Sequence, residues 1–257
     1  FKFAERCDEL TIINTFFLVK SIVRSGRHVE LYFRGMDRVL DDLGKKYVYL
    51  PLFLGANNIF KFATALKLLR RDKVTMLTEF QLLSFLDLLR LVKFILIYPW
   101  RVLGFVRKLE VYDRGIRIIR HEILDTLDHV TFHGYSRYLQ GRRIVRLHSG
   151  KIKLISWYEN QVIDKNLYRG LREDSEQVTI YGAQLLLYTA SILNIFPDIN
   201  EKKLGLIPDY IVTNGPYFMP RKTRLEYRVG PSLRYEKIFT EARNQNRGDK
   251  ILVLLPY

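Results

Sequence analysis

From residue 151 onward, short apolar and β-branched runs return at intervals of roughly 15 to 30 residues, with helical or turn-rich stretches between them. That spacing leaves few folds open. The runs over 151–156, 177–181, 209–213, 224–229 and 251–255 read as strands. The stretches over 160–171 and 183–193 read as helices, and Gly182, Asn214-Gly215-Pro216 and Gly230-Pro231 punctuate the pattern. Repeated βα units of this kind predict an α/β fold, a Rossmann-like parallel sheet flanked by helices.

The first half is less regular. Aromatic and β-branched runs over 28–33 and 46–51 predict two further strands, with a helix over 16–24 before them and another over 116–127. The most apolar stretch, 80–105, is long enough to suggest a membrane span, which needs about 20 mostly apolar residues. Asp87, Arg90, Lys93 and Arg101 exclude that reading, because charges near the middle of a span are costly. Spaced three apart, Asp87, Arg90 and Lys93 keep to one side of a helix and leave Leu82, Phe85, Leu86, Leu89 and Val92 on the other. The prediction is an amphipathic helix. Past it, Tyr98, Trp100 and Phe105 beside Arg101, Arg107 and Lys108 suit a lipid headgroup layer. A buried helix with a basic end fits the same residues. The Arg-dense stretch over 137–146 reads as solvated surface.

Lys and Arg exceed Asp and Glu by 15, a positive field that attracts nucleic acid, anionic lipid or phosphorylated small molecules. The basic residues are scattered through helices and turns without an RNA-binding signature, so a nucleic-acid partner is not expected, although base-stacking aromatics keep that alternative open. The lone Cys7 forms no internal disulfide and supplies no Cys-rich zinc site, which points to a reducing compartment. His129 and His133 share a helix face but lack a third ligand, so no metal is expected. The first ten residues hold Glu5, Asp8 and Glu9 and no initiator Met, and the sequence stops in the apolar stretch 250–257. The expectation is a piece of a longer protein.

Phosphate-loop, dinucleotide-turn, nucleophile-elbow and metal-binding Asp-x-Asp signatures are all absent, which removes support for kinase, dehydrogenase and hydrolase readings. In parallel sheets ligands bind beyond the carboxyl ends of the strands. There the sequence places Trp157, Tyr158, Glu159, Asn160 and Gln161, then Gly182 and Gln184, then Asn214 and Gly215, then Ser232 and Arg234. Glu159, between amides and aromatic rings, is the candidate general base; the same carboxylate would also suit a helix N-terminus. Glycine permits close backbone approach, amides offer donor and acceptor together, and Arg234 can pair with a carboxylate or phosphate, yet singly these are also ordinary turn residues. Asp209 begins its strand and so belongs on the opposite edge.

The motifs Ile155-Ser-Trp-Tyr-Glu-Asn-Gln161, Tyr181-Gly-Ala-Gln184, Ile207-Pro-Asp-Tyr-Ile-Val-Thr-Asn-Gly215 and Val229-Gly-Pro-Ser-Leu-Arg-Tyr235 resemble bacterial surface-polysaccharide glycosyltransferases of the GT-B type. They are most similar to those that use CMP-Kdo (β-Kdo transferases). The resemblance covers about the second half of the chain. It implies two facing Rossmann-like domains. Residues 1–249 would be the acceptor-side domain, with a helical insertion at about 59–149, and 250–257 would begin a nucleotide-binding domain that is otherwise missing. It further implies metal-independent transfer of Kdo or a related acidic sugar from a CMP donor to a lipid-linked acceptor in lipopolysaccharide or capsule synthesis. No cofactor is implied beyond the CMP-sugar substrate. The protein would be cytoplasmic, peripheral to the inner membrane and in contact with its anionic surface. Glu159 matches the catalytic carboxylate; Tyr158, Asn160, Gln161, Gly182, Gln184, Asn214, Gly215, Ser232 and Arg234 would line the cleft. A noncatalytic scaffold domain of a polysaccharide assembly complex is the other reading of the same motifs.

Overall fold

A computed structural model describes residues 7–109, 114–186, 196–220 and 222–235. Its centre is strand β1 (Glu9–Leu18), in which Leu10 to Thr15 are all buried. A strand buried on both faces lacks apolar/polar alternation, and Thr-Ile-Ile-Asn-Thr-Phe-Phe-Leu has none, its buried Asn14 pairing with Ser156. The helix expected over 16–24 is corrected accordingly: residues 16–18 finish β1, and helix α1 (Val19–Ser25) begins only afterwards. The strand expected over 28–33 is also corrected. Those residues form a loop folded around the buried Glu30 carboxylate, which accepts hydrogen bonds from Thr15 Oγ1 (3.2 Å) and from the backbone N–H groups of Tyr32 (2.8 Å) and Phe33 (3.1 Å). Phe33 and Tyr32 pack into the core without joining a ladder, and Val29 stays exposed.

Helix α2 (Met36–Asp42) leads to β2 (Tyr47–Leu54), which pairs in parallel with β1. Pro51 is tolerated because β2 is the outer strand of the sheet. Tyr49 turns its N–H and C=O outward to Thr75 and Leu77, and Pro51, two residues on, faces the same way with no N–H to satisfy. Helices α3 (Ile59–Arg71), α4 (Glu79–Leu82), α5 (Phe85–Lys108), α6 (Arg114–Asp125) and α7 (His129–Leu147) then separate β2 from β3 (Lys151–Trp157). Helix α8 (Val162–Glu173), β4 (Val178–Gln184), α9 (Ile199–Lys203), β5 (Tyr210–Thr213) and β6 (Tyr227–Val229) complete the order. All six strands are parallel, in the order β2-β1-β3-β4-β5-β6. Of the helix expected over 183–193, residues 183 and 184 finish β4, and 187–193 lie outside the described residues, as do the strand expected over 251–255 and the segment 250–257.

Side chains alternate between two cores. Leu10, Ile12, Leu154 and Ile180 meet Leu82 of α4, Ile144 of α7 and Leu167 of α8. Ile13, Phe17 and Tyr49 meet Ile22 of α1, Leu40 of α2 and Leu69 of α3 on the other face. Helices α7 and α8 approach so closely that a Cβ on Gly141 would stand 2.6 Å from the Leu167 carbonyl oxygen, and one on Gly170 only 2.1 Å from that of Tyr138. A helical glycine costs about 1 kcal/mol relative to alanine; here it permits contact between the two backbones.

The solvated surface expected over 137–146 is corrected by α7. Arg137 is fully buried, donating to Gln140 Oε1 (2.9 Å) and to Asn14 Oδ1, and Gln140 passes the chain on to Ser136 (3.2 Å) and Glu79 (3.1 Å). Burial pulls its pKa down to about 10, so it stays charged at neutral pH, with Glu79 and Asp164 as the nearby countercharges. In α5 the amphipathic pattern is present but its apolar side faces outward. Phe85 and Trp100 are each 76% exposed, and Leu86, Leu89 and Val92 are exposed too, while Asp87 is buried beneath them. No helix among the described residues is long and apolar enough to cross a membrane.

Candidate functional site

The chain runs from β1 outward to β2, returns across β1, and continues from β3 in the other direction. The strand order therefore reverses between β1 and β3. At such a switch point the neighbouring connections diverge and leave a crevice at the carboxyl ends. Register aligns that edge: Asn14 lies opposite Ser156, Trp157 opposite Ala183, Gln184 opposite Thr213, and Thr213 opposite Val229. The segments 158–161, 214–215 and 230–234 consequently leave the sheet along one rim. Asp209 is on the opposite edge, where it accepts from Arg172 (2.7 Å) and from the Ile180 N–H (2.7 Å).

Glu159 is partly buried at this rim, and its carboxylate accepts from Gln161 Nε2 at 2.7 Å. Burial raises its pKa above the ordinary carboxylate value; Trp157, the Arg234 charge and Gln161 oppose the rise without cancelling it. The helix-capping role is taken by a different residue. Asp164, one turn into α8, accepts from the backbone N–H groups of Gln161 (3.2 Å) and Glu159 (3.3 Å), and burial pushes its pKa up to about 7. Glu159 is thereby left out of the cap and held by it from below.

Arg234 comes from the turn after β6 and reaches back across the sheet. Its guanidinium carbon lies 5.2 Å from the Tyr32 ring centroid and 5.5 Å from that of Trp157, within cation–π range. Tyr32 and Trp157 meet edge to face at 4.5 Å, and Phe16 closes the aromatic wall at 5.5 Å from Trp157. Arg234 Nη1 is buried without a hydrogen-bond partner. A second open group lies nearby in the rim sequence: Asn214 Nδ2 donates to Leu186 O (3.4 Å), while Asn214 Oδ1 is buried and unsatisfied, at the border of an apolar cavity of about 350 Å³. Buried polar atoms are rarely left unpaired unless a ligand, ion or water meets them. The rim thus offers a cationic donor and an acceptor without partners, and a carboxylate whose pKa burial raises.

Not every expected cleft residue is at the rim, and two are corrected. Tyr158 turns into the α7–α8 core, where its hydroxyl donates to Asn160 Oδ1 (3.0 Å). Gly182 packs against that ring: a Cβ there would stand 2.9 Å from Tyr158 Cγ and 2.3 Å from Pro208 Cγ, so the glycine serves packing and not ligand approach. Asn160 adopts a left-handed backbone (φ 56°) and donates to Glu201 Oε2 (3.2 Å), tying α9 to the loop as an orienting residue. Gln184 is buried at the end of β4; Gly215 takes φ 98°, a value that glycine tolerates. Ser232 is half-buried and its carbonyl accepts the Tyr235 N–H (2.9 Å).

Sequence reasoning missed Tyr32, Asp164 and Glu79. Asp164 carried a readable signal, an acid three residues after a polar helix start. Glu79 pairs with His133 at 3.3 Å, which holds its carboxyl below the ordinary range. Both line a larger cavity, about 650 Å³, which Phe16 and Gln161 also line. No metal-binding cluster occurs among the described residues. Comparison with protein-family models, curated proteins and solved structures finds no match for this chain.

Proposed function

We propose that the chain is the acceptor-side part of a GT-B glycosyltransferase. It would add Kdo or a related acidic sugar from a CMP donor to a lipid-linked surface polysaccharide, working peripherally at the cytoplasmic face of the inner membrane. The observation that carries this reading is the pairing, at a topological switch point, of a partly buried carboxylate with a partly buried guanidinium whose Nη1 has no hydrogen-bond partner. Arg234 suits the carboxylate of an acidic sugar or a donor phosphate, because a guanidinium binds such groups with two parallel hydrogen bonds. Glu159, with its raised pKa, suits proton abstraction. The acceptor hydroxyl gives its proton to Glu159 as its oxygen bonds to the anomeric carbon. The bond from that carbon to the donor phosphate oxygen breaks, and CMP leaves with the electron pair.

The test is transfer by the full-length protein from CMP-Kdo to a panel of lipid-linked glycans, comparing the parent with Glu159→Gln. Loss of general-base catalysis predicts a fall on the order of 10²- to 10⁴-fold in rate, with an unchanged circular dichroism spectrum. Equal rates would remove Glu159 from the chemistry, and transfer by neither protein with any acceptor would remove the sugar-transfer reading.

A further inference from the structure

An amphipathic helix on a soluble domain turns its apolar stripe to the core. Helix α5 buries only Val102 and Val106 of its apolar residues and leaves a long apolar stripe outside. Phe85, Leu89, Val92, Leu96 and Trp100 recur at helical spacing along the exposed side, on a helix that is 24 residues and therefore about 36 Å long. The inward side is mixed: Asp87, Val102 and Val106 are buried there, and aromatic rings lie between them. There Phe94 stacks on Tyr98 (4.8 Å) and on Tyr135 (4.2 Å), and Tyr135 stacks on Tyr138 (5.8 Å), forming the floor of a cavity of about 360 Å³.

Four cations wall that cavity: Arg90, Lys93, Arg101 and Arg142. Two are neutralised, Arg90 by Asp87 at 2.9 Å and Arg142 by Asp174 at 3.2 Å. Lys93 and Arg101 have no acidic partner among the described residues and stand at the exposed flank, level with the border of the apolar stripe. Arg107 and Lys108 extend the basic border at the end of the helix.

We infer that α5 lies in the plane of an anionic phospholipid bilayer, with its outward stripe at the acyl boundary and a lipid phosphate held in the α5–α7 cavity by Lys93 and Arg101. Depth and charge agree with this occupant. An interfacial helix sinks its apolar face about 5–10 Å, which brings flanking cations to the phosphates, and anionic lipid attracts each such cation. A second copy of the chain fits poorly, since pairing two stripes would set their basic borders against each other in a protein with an excess of 15 positive charges. The inference rests on the membrane part of the proposed function and is independent of Glu159.

The test uses the full chain with vesicles of phosphatidylcholine alone or with about 30% phosphatidylglycerol, read by flotation and by tryptophan emission. Of the two tryptophans, Trp157 is already buried, so a blue shift reports Trp100. Expected are flotation and a blue shift with the anionic vesicles only, both weakened by salt. Lys93→Gln with Arg101→Gln should loosen binding on the order of thirtyfold, at about 1 kcal/mol for each cation. Trp100→Ser with Leu96→Ser should weaken flotation while leaving thermal unfolding unchanged. Several results would overturn the inference: no vesicle binding, equal binding by neutral vesicles, or indifference to the paired Gln substitutions. So would a blue shift that grows with protein concentration without lipid, or full displacement from vesicles by millimolar inorganic phosphate, which indicates a free-phosphate site. Retention of a single-stranded oligonucleotide on the same cations in preference to vesicles would place the helix on nucleic acid instead. Glu159→Gln should float as the parent does, so the two readings fail separately.

Discussion

Helices α5 and α7 lie close together in the chain and both break the rule that polar residues face water, but in opposite senses. Helix α7 carries Ser136, Arg137 and Gln140 inward; α5 carries Phe85, Leu89 and Trp100 outward. The inward polar groups are largely paired, since Arg137 reaches Asn14 and Gln140 through its two terminal nitrogens and Gln140 reaches Ser136 and Glu79, while Arg137 Nε stays without a partner. The outward apolar groups touch no core. An inversion that is completed internally is part of the architecture, whereas one left open is explained by what lies outside the fold.

Four measurements probe this contrast, in order of expected effect. Arg137→Leu removes a buried cation and leaves Asn14, Gln140 and the nearby carboxylates uncompensated; a loss of about 3–5 kcal/mol in denaturant unfolding is expected. A change below 1 kcal/mol would mean that the network is incidental.

The next effect is a pH dependence. Asp164 has its folded pKa raised to about 7, so its contribution to stability is complete below its unfolded pKa and is lost as pH rises through the folded value. Stability should therefore decline between about pH 4 and 7 by some 2–4 kcal/mol through this group, and Asp164→Asn should flatten that slope. A parallel slope in the variant would assign the titration elsewhere.

Gly170→Ala drives a methyl into the Tyr138 carbonyl and should cost about 1–3 kcal/mol, tracked by thermal unfolding. The smallest effect is on α5: Trp100→Ser should change stability by less than about 0.5 kcal/mol, as exposed positions do. A large loss there would show that the stripe supports the fold after all.

Much of the sheet was legible. The strands over 151–156, 177–181 and 209–213 fall within a few residues of β3, β4 and β5, because turns and alternation bound them. β1 was not, since a strand buried on both faces lacks the alternation that would tell it from a buried helix. The run over 28–33 misled because its alternation reflects a loop wrapped on Glu30. At the rim, Glu159, Gln161 and Arg234 could be named from their positions after strands. Tyr32 could not, for nothing local marks a loop tyrosine that will meet Trp157 across 125 positions. The direction of the α5 stripe was equally hidden: periodicity reveals two faces of a helix but not which one meets the protein.

The glycine seam between α7 and α8 has a mechanical consequence. Phe94 joins α5 to α7 through Tyr135, the seam joins α7 to α8, and Gln161 at the head of α8 grips the Glu159 carboxylate. Three short contacts thus link the outer helix to the acid at the crevice. A surface that grips α5 would through these contacts also bear on the direction in which the crevice faces.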